Sequence, residues 1–450
     1  MSRIGQRRAA SAIPADIWVM VAAAFIVAIG YGIIAPVLPQ FAESFGLGVT
    51  AATIVVSSFA FFRLISAPAG GSLVNRLGER PVYVTGLLIV AASTFAVALA
   101  QSYWQLLLFR ALGGLGSTMF TVSAMALIVR LAPENARARA SGLYATAFLL
   151  GNIAGPVVGG MMAGFGMRVP FVVYAVALVI AAAVVHLRLG RNEQVVAAEE
   201  SSADPDGTDA DRTAFDGTDA DGTDPEAPAG ESTAPAAVPT TLADEPGARP
   251  VMRFREAWQD SAYRAALFSG AVHGWTSMGI RVALYPLFAL HVLGAGAAVS
   301  GLALTVFAAG NAVAVMVVGR FADVRGRRPF ILMGLVILGL STIALGFSTS
   351  IPVFFALSVV AGVGAGLLNP AQQATVADVV GSRRSGGIVL SRYQMAIDTG
   401  AIFGPVIAGA LAEGFGYSMA FVVSGALPLV AFAIWLTGRE TLPQAAEPVR

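Results

Sequence analysis

Twelve times along this chain, about twenty consecutive residues are predominantly apolar. The runs lie near 17–38, 50–73, 81–100, 104–129, 140–163 and 170–188, and again near 264–289, 299–321, 329–347, 353–376, 387–411 and 417–437. Nothing else in the sequence constrains the fold as strongly. A run of this length crosses the hydrocarbon core of a bilayer as a helix, which satisfies its own backbone hydrogen bonds. Composition agrees: 12% of residues are charged, against about 25% in a soluble domain, too few to cover a surface facing water. The expectation is an all-α membrane protein with twelve transmembrane helices.

The connections between runs carry the orientation. Arg3, Arg7 and Arg8 precede the first run, and Arg76, Arg80, Arg137, Arg139, Arg325, Arg327, Arg328, Arg383 and Arg384 lie in the connections on that same side. The opposite connections hold Arg168 alone. Positive residues stay in the cytoplasm, so both termini are expected there, in a multi-pass protein of the cell membrane. The first run is longer than the apolar core of a signal peptide and no small-x-small cleavage site follows it, so it reads as a retained helix. The chain has no cysteine, which excludes disulfides and thiolate metal sites. No phosphate loop, metal cluster or nucleophile–base constellation is visible. The reading is therefore neither an enzyme nor an ATP-driven pump, with no cofactor, metal or nucleic-acid partner, acting as a monomer in the lipid bilayer.

The second six runs repeat the first six. Pro39 in LPQFAESFG matches Pro286 in YPLFALHVLG at an offset of 247, and Gly71 in GSLVNRLGERP matches Gly319 in GRFADVRGRRP at 248. Gly151 in GNIAGPVVGG matches Gly400 in GAIFGPVIAG at 249. Such a register indicates a duplicated six-helix unit with both copies in the same topology, an architecture that alternating-access transporters use with the site at mid-membrane between the copies. The expected divisions are a six-helix bundle over 1–190, a linker over 191–260, a second bundle over 261–440 and a cytoplasmic tail over 441–450. The linker is acidic, rich in Gly, Pro and Thr, and too poor in large apolar residues to fold alone. Its repeated DGTDAD lacks the closing glutamate of a calcium loop.

Between the second and third runs stands Gly71-Ser72-Leu73-Val74-Asn75-Arg76-Leu77-Gly78-Glu79-Arg80, and after the eighth stands GRFADVRGRR, Gly319 to Arg328. Both resemble the G-x-x-x-D-R-x-G-R-R loop of the major facilitator superfamily. The resemblance covers nearly the whole chain outside the linker. It implies that Gly71, Arg76, Gly78, Arg80, Gly319, Asp323, Gly326, Arg327 and Arg328 form cytoplasmic gating loops, whose acids meet helix amino ends and whose arginines bind carbonyl ends and acids. Asn75 departs from the pattern: an amide stands where the first-half acid belongs, leaving that latch without its charge. Arg110, in LLLFRALGGLG, matches the family's fourth-span arginine, with Gly113 where glutamine is usual. GNIAGPVVGG resembles a fifth-span pattern of the exporter branches, chiefly drug:proton antiporters.

The glycines of that stretch also have a plain physical reading. Gly151, Gly155 and Gly159, with Gly160 beside them, make a stripe without side chains on which another helix packs closely, and Pro156 bends the helix. Gly400, Gly404, Pro405 and Gly409 repeat the arrangement. Four ionisable residues lie within the runs: Arg63, Arg110, Arg281 and Asp398. Such residues are costly in lipid and face a cavity or a partner. The family fold implies that the second and eleventh spans face one another, so Arg63 and Asp398 are expected to pair in one state, with Asp398 coupling protons to transport. Tyr31, Tyr144, Trp275, Tyr285 and Tyr393 are candidates for lining a substrate cavity. The leading reading is secondary active export of a small, fairly apolar, drug-like compound, coupled to protons. Uptake of a metabolite or sugar stays open, as does a non-transporting membrane sensor.

Overall fold

The computed structural model describes residues 13–133, 136–202, 252–381, 384 and 386–442. The expectations that rest on the side chains of Asn75 and Asp323 and on the surroundings of Gly319, on the linker residues 203–251 and on the tail beyond 442 fall outside what is described.

Twelve helical spans follow one another: α1 (Ala15–Ile34), α2 (Gly48–Leu77), α3 (Glu79–Leu99), α4 (Tyr103–Leu131), α5 (Arg137–Met162) and α6 (Val169–Ser202) in the first half. The second half holds α7, α8 (Ala297–Arg325), α9 (Arg328–Leu345), α10 (Ile351–Val380), α11 (Gly387–Phe415) and α12 (Tyr417–Leu436). Eleven are single helices long and apolar enough to cross a bilayer. The span α7 is built differently, as an α-helix over Ser261–His273, a π-helical segment over Gly274–Ile280 and a second α-helix over Arg281–His291. No strand occurs among the described residues. The helix α6 continues to Ser202, past the start expected for the linker, because NEQVVAAEE supplies good helix formers after the apolar run ends. A short helix, Phe254–Gln259, likewise stands inside the expected linker, just before α7.

Two glycines punctuate the duplicated loops. Gly78 closes α2 with φ +83° and Gly326 closes α8 with φ +97°, a left-handed region that a side chain disfavours. Each turn releases the chain into the next helix within one or two residues, so the arginines of both loops fall at the start of α3 and α9.

Within the first half, α1 packs on α5 and α6, α3 on α4 and α6, and α2 on α4. The second half repeats this: α7 packs on α11 and α12, α9 on α10 and α12, and α8 on α10. Its core holds Tyr285, Phe288, Phe354 and Phe421, all nearly fully buried, with ring centroids 5.2–6.2 Å apart in four of their pairings. The halves meet along two seams, α2 against α11 and α5 against α8.

These seams are closed on one side of the membrane and parted on the other. On the side opposite the termini, Gln40 Nε2 donates to the Pro286 carbonyl (3.0 Å) and Thr305 Oγ1 to the Ile153 carbonyl (2.9 Å). There also Thr50 donates its backbone N–H (2.9 Å) and its hydroxyl to Glu413, and His291 pairs with Glu43 (3.3 Å). All four connections cross between halves. Toward the terminus-bearing side, Met316 continues the face of α8 that holds Thr305, since eleven residues return a helix to within about 20°. Met316 is 73% exposed. Along the face of α11 that meets α2, Gly409 is buried, Asp398 half-buried, and Gln394 and Ser391 exposed.

Candidate functional site

The charged centre of the seam between α2 and α11 is an ion pair. Arg63 Nη2 stands 3.4 Å from Asp398 Oδ1, with side chains 44% and 17% exposed. Gln394, one turn before Asp398, donates to the same oxygen at 3.2 Å. The pair therefore sits where the closed part of the seam gives way to the open part.

Small residues hold both charges in place. Behind Arg63, a Cβ on Gly114 of α4 would collide with the Phe59 carbonyl and stand 3.0 Å from the Arg63 nitrogen. Thr118 Oγ1 donates to the Arg63 carbonyl (2.8 Å), and Ser66 Oγ donates to Thr118 Oγ1 (3.0 Å). Behind Asp398, α11 and α7 touch backbone to backbone: a Cβ on Gly400 would strike the Ala271 carbonyl, and one on Gly274 would strike the Ile397 carbonyl.

The glycine-proline stripes are close-packing surfaces in both halves. Gly151, Gly155 and Gly159 lie on the α1 backbone at Phe25–Ile29, Ile29–Gly32 and Ile33. A Cβ on Gly32 would meet Pro156 at 2.8 Å, and one on Gly279, 247 residues later, would meet Pro405 at the same 2.8 Å. Gly404 packs on Trp275. The last glycine of each copy faces the other half: Gly160 lies against Ala297 and Ala298 of α8, and Gly409 against Thr53 of α2.

The two other embedded arginines are kept apart from any carboxylate. Arg110 is 7% exposed, with its guanidinium 4.2 Å above the Phe59 ring and its buried Nε without a partner. Arg281 lies 4.2 Å above the Phe307 ring and donates from Nε to the Ser277 carbonyl (2.7 Å). Among the described residues neither forms an ion pair.

In the duplicated loops, Gly71 has open space around it and Arg76 is exposed. Arg80 donates to the His186 carbonyl of α6 (2.6 Å). Arg328, at the equivalent place, donates to the Leu436 carbonyl (2.6 Å) and the Trp435 carbonyl (3.3 Å) of α12. Each arginine thus ties the start of the third helix of its half to carbonyls of the sixth span; those of Trp435 and Leu436 lie at the end of α12, where carbonyls lack helical partners and a cation is favoured, while His186 lies within α6. Arg327 pairs with Asp378 (3.4 Å). Glu440 accepts backbone N–H bonds from Arg327, Arg328, Thr441 and Leu442. Desolvation pushes its carboxyl up, and the four donors together outweigh that, holding it below the ordinary value.

A family model described as Major Facilitator Superfamily matches residues 20–274 and 266–450. The chain belongs to this superfamily. Quinolone resistance protein NorA of Staphylococcus aureus is 31% identical over 147 residues, 33% of this chain and 38% of that one. Multidrug resistance protein 2 of Bacillus subtilis is 32% identical over 160 residues, 36% and 40% of the two chains. The chain thus matches about two fifths of the length of these curated relatives. Two solved structures share the fold along almost the whole length. A bacterial homolog to the human lysosomal transporter Spinster superposes with a TM-score of 0.70 at 16% identity, over 93% of this chain and 95% of that one. A POT family transporter in complex with 5-aminolevulinic acid gives 0.67 at 12%, over 94% and 96%.

Within this superfamily fold, the five candidate aromatics do not converge on one cavity. Tyr31 is half-buried, with its ring 6.1 Å from Phe59. Tyr285 belongs to the aromatic core of the second half, and Trp275 donates to Ser424 of α12 (3.2 Å). Tyr393 donates to Gln372 (3.3 Å), and Tyr144 is buried in the first half. A hollow of about 490 Å³ lies instead between α2, α4 and α11, lined by Ile54, Phe62, Leu107, Ile402 and Val406 and flanked by the exposed Phe61 and Trp104. Sequence reasoning also passed over the cross-half bonds of Gln40, Thr50, Thr305, Glu43 and Glu413. Their one signal was a polar residue near the end of an apolar run, facing away from the arginine-rich side.

Proposed function

We propose that this chain is a secondary active exporter of small, largely apolar compounds, working by alternating access in exchange for protons. The observation that carries the reading is the Arg63–Asp398 pair at the boundary between the closed and open parts of the seam. With the arginine-rich side cytoplasmic, the structure is the inward-open arrangement. Asp398 is then held by Arg63. Rocking the halves breaks the outer bonds, exposes Asp398 to the outside and separates it from the guanidinium. A carboxylate without its cation at mid-membrane takes a proton, and the neutral group returns with the halves. The last glycine of each stripe, Gly160 and Gly409, supplies a smooth contact across the seam for this movement. Similarity to NorA and Multidrug resistance protein 2, whose names denote quinolone and multidrug resistance, supports export of drug-like compounds.

The test is accumulation of a panel of fluorescent compounds in cells overproducing the chain, with and without a protonophore. Lower accumulation that the protonophore abolishes is expected, and higher accumulation than in control cells overturns export. Asp398→Asn should abolish proton-driven transport in energised vesicles, by at least about tenfold; unchanged proton-driven transport overturns the coupling role.

A further inference from the structure

The duplicated register brings a phenylalanine to the same place in each half: Phe59 on α2 and Phe307 on α8, 248 residues apart. Over both rings stands a guanidinium at 4.2 Å, yet the two come from non-equivalent helices. Arg110 reaches Phe59 from α4, and Arg281 reaches Phe307 from α7, whereas the residue equivalent to Arg110 is Ser358. Two separate routes thus place positive charge on the same platform. Tyr31 of α1 stands beside the first platform, its ring 6.1 Å from that of Phe59.

The charge there is not neutralised. Asp398 is taken by Arg63, and no carboxylate pairs with Arg110 or Arg281 among the described residues. A guanidinium offers five N–H donors; Arg281 spends one on the Ser277 carbonyl, and the ring face satisfies charge but not hydrogen bonds. Leaving such donors unused in a span is costly. Arg281 also follows directly on the π-helical segment Gly274–Ile280, an element that recurs at functional sites. Unlike Arg110 it is only half-buried, so its free donors remain reachable.

We infer that Arg281 forms a subsite for an anionic group, and that the compounds carried include apolar or aromatic bodies bearing one carboxylate. The planar fork of Arg281 fits a carboxylate in two-point contact, with the Phe307 ring under the guanidinium as its apolar neighbour. The inference deepens the export reading and rests on it for what the site is used for.

The test is equilibrium binding of radiolabelled naphthoate and naphthamide to the purified full-length chain, with empty lipid discs subtracted. These probes share body and shape and differ in charge. Naphthoate should bind at least about tenfold more tightly, about 1.4 kcal/mol. Arg281→Gln should remove that preference and Arg281→Lys restore part of it. Equal binding of the two probes, binding of neither, or a preference that survives Arg281→Gln in a well-folded sample overturns the inference. Naphthoate bound as expected but not exported by cells leaves the subsite standing and overturns the export reading for this class of compound.

Discussion

Two of the connections that close the side opposite the termini can be removed without touching the Arg63–Asp398 pair. Gln40 is 5% exposed, and its amide crosses to the Pro286 carbonyl at 3.0 Å. A buried hydrogen bond of this kind contributes about 1 kcal/mol. Gln40→Leu removes that bond and leaves the Pro286 carbonyl inside the helix Arg281–His291, so the bias toward opening is about that large. Glu413 accepts two bonds from Thr50 across the other seam. It is exposed, which holds its contribution to about 1 kcal/mol or less. The two sites share no partner, so their effects add. The double variant Gln40→Leu/Glu413→Ala should therefore shift the closed-to-open ratio by about 2 kcal/mol, roughly thirtyfold.

The chain has no cysteine, so spin labels can be placed at will. Leu47 and Phe415 lie near the ends of α2 and α11 on the side opposite the termini, 51% and 72% exposed. With cysteines at both, pulsed electron resonance reads the distance between the halves on that side. The parent should give one short distance. Each single variant should add a longer component, and the double variant should make it dominant. An unchanged distance distribution in a folded double variant would refute the argument that these bonds hold that side shut.

Two further outcomes follow from the same geometry. Gly155 and Gly160 belong to one stripe, but Gly155 packs on α1 within its half and Gly160 on α8 across the seam. Gly155→Val should lower the thermal midpoint by the equivalent of about 1–3 kcal/mol of overpacking, while Gly160→Val should spare stability and lengthen the Leu47–Phe415 distance; equal losses of stability would contradict this. Glu440, held below its ordinary value by four N–H donors, contributes stability that is present above that ordinary value and is lost as pH falls through its lowered one. Glu440→Gln should cost about 1 kcal/mol at neutral pH, in the manner of a helix cap, and the gap to the parent should close under acid in thermal unfolding scans.

Much of this arrangement is written in residue types that admit one placement. An apolar run of twenty residues has to be a span, and Asp398, a lone acid inside such a run, needs a cation at its own depth, which Arg63 supplies. The π-helical segment of α7 is not legible in this way. GWTSMGI reads as ordinary span, and its register is set by α11, whose backbone lies on Gly274 and whose Pro405 lies on Gly279. Aromatic residues are equally mute: nothing in the letter Tyr distinguishes Tyr285, locked in a core, from Tyr31, half-buried beside Phe59.

The glycine stripes show why the remainder needs three dimensions. Spacing alone says that Gly151, Gly155 and Gly159 share a face and that Gly160 is turned by about 100° from Gly159. That rotation carries Gly160 off α1 and onto α8. The same turn in the second copy brings Gly409 to Thr53, beside the Thr50–Glu413 bonds. A single extra glycine at the end of each stripe therefore changes its partner from a helix of the same half to a helix of the other. Close packing within a half keeps that half rigid; close packing across the seam has to be undone in every cycle. Backbone against small side chain suits the second task, because parting the helices there strands no large apolar group and, beyond Thr305 and Thr50, few hydrogen bonds.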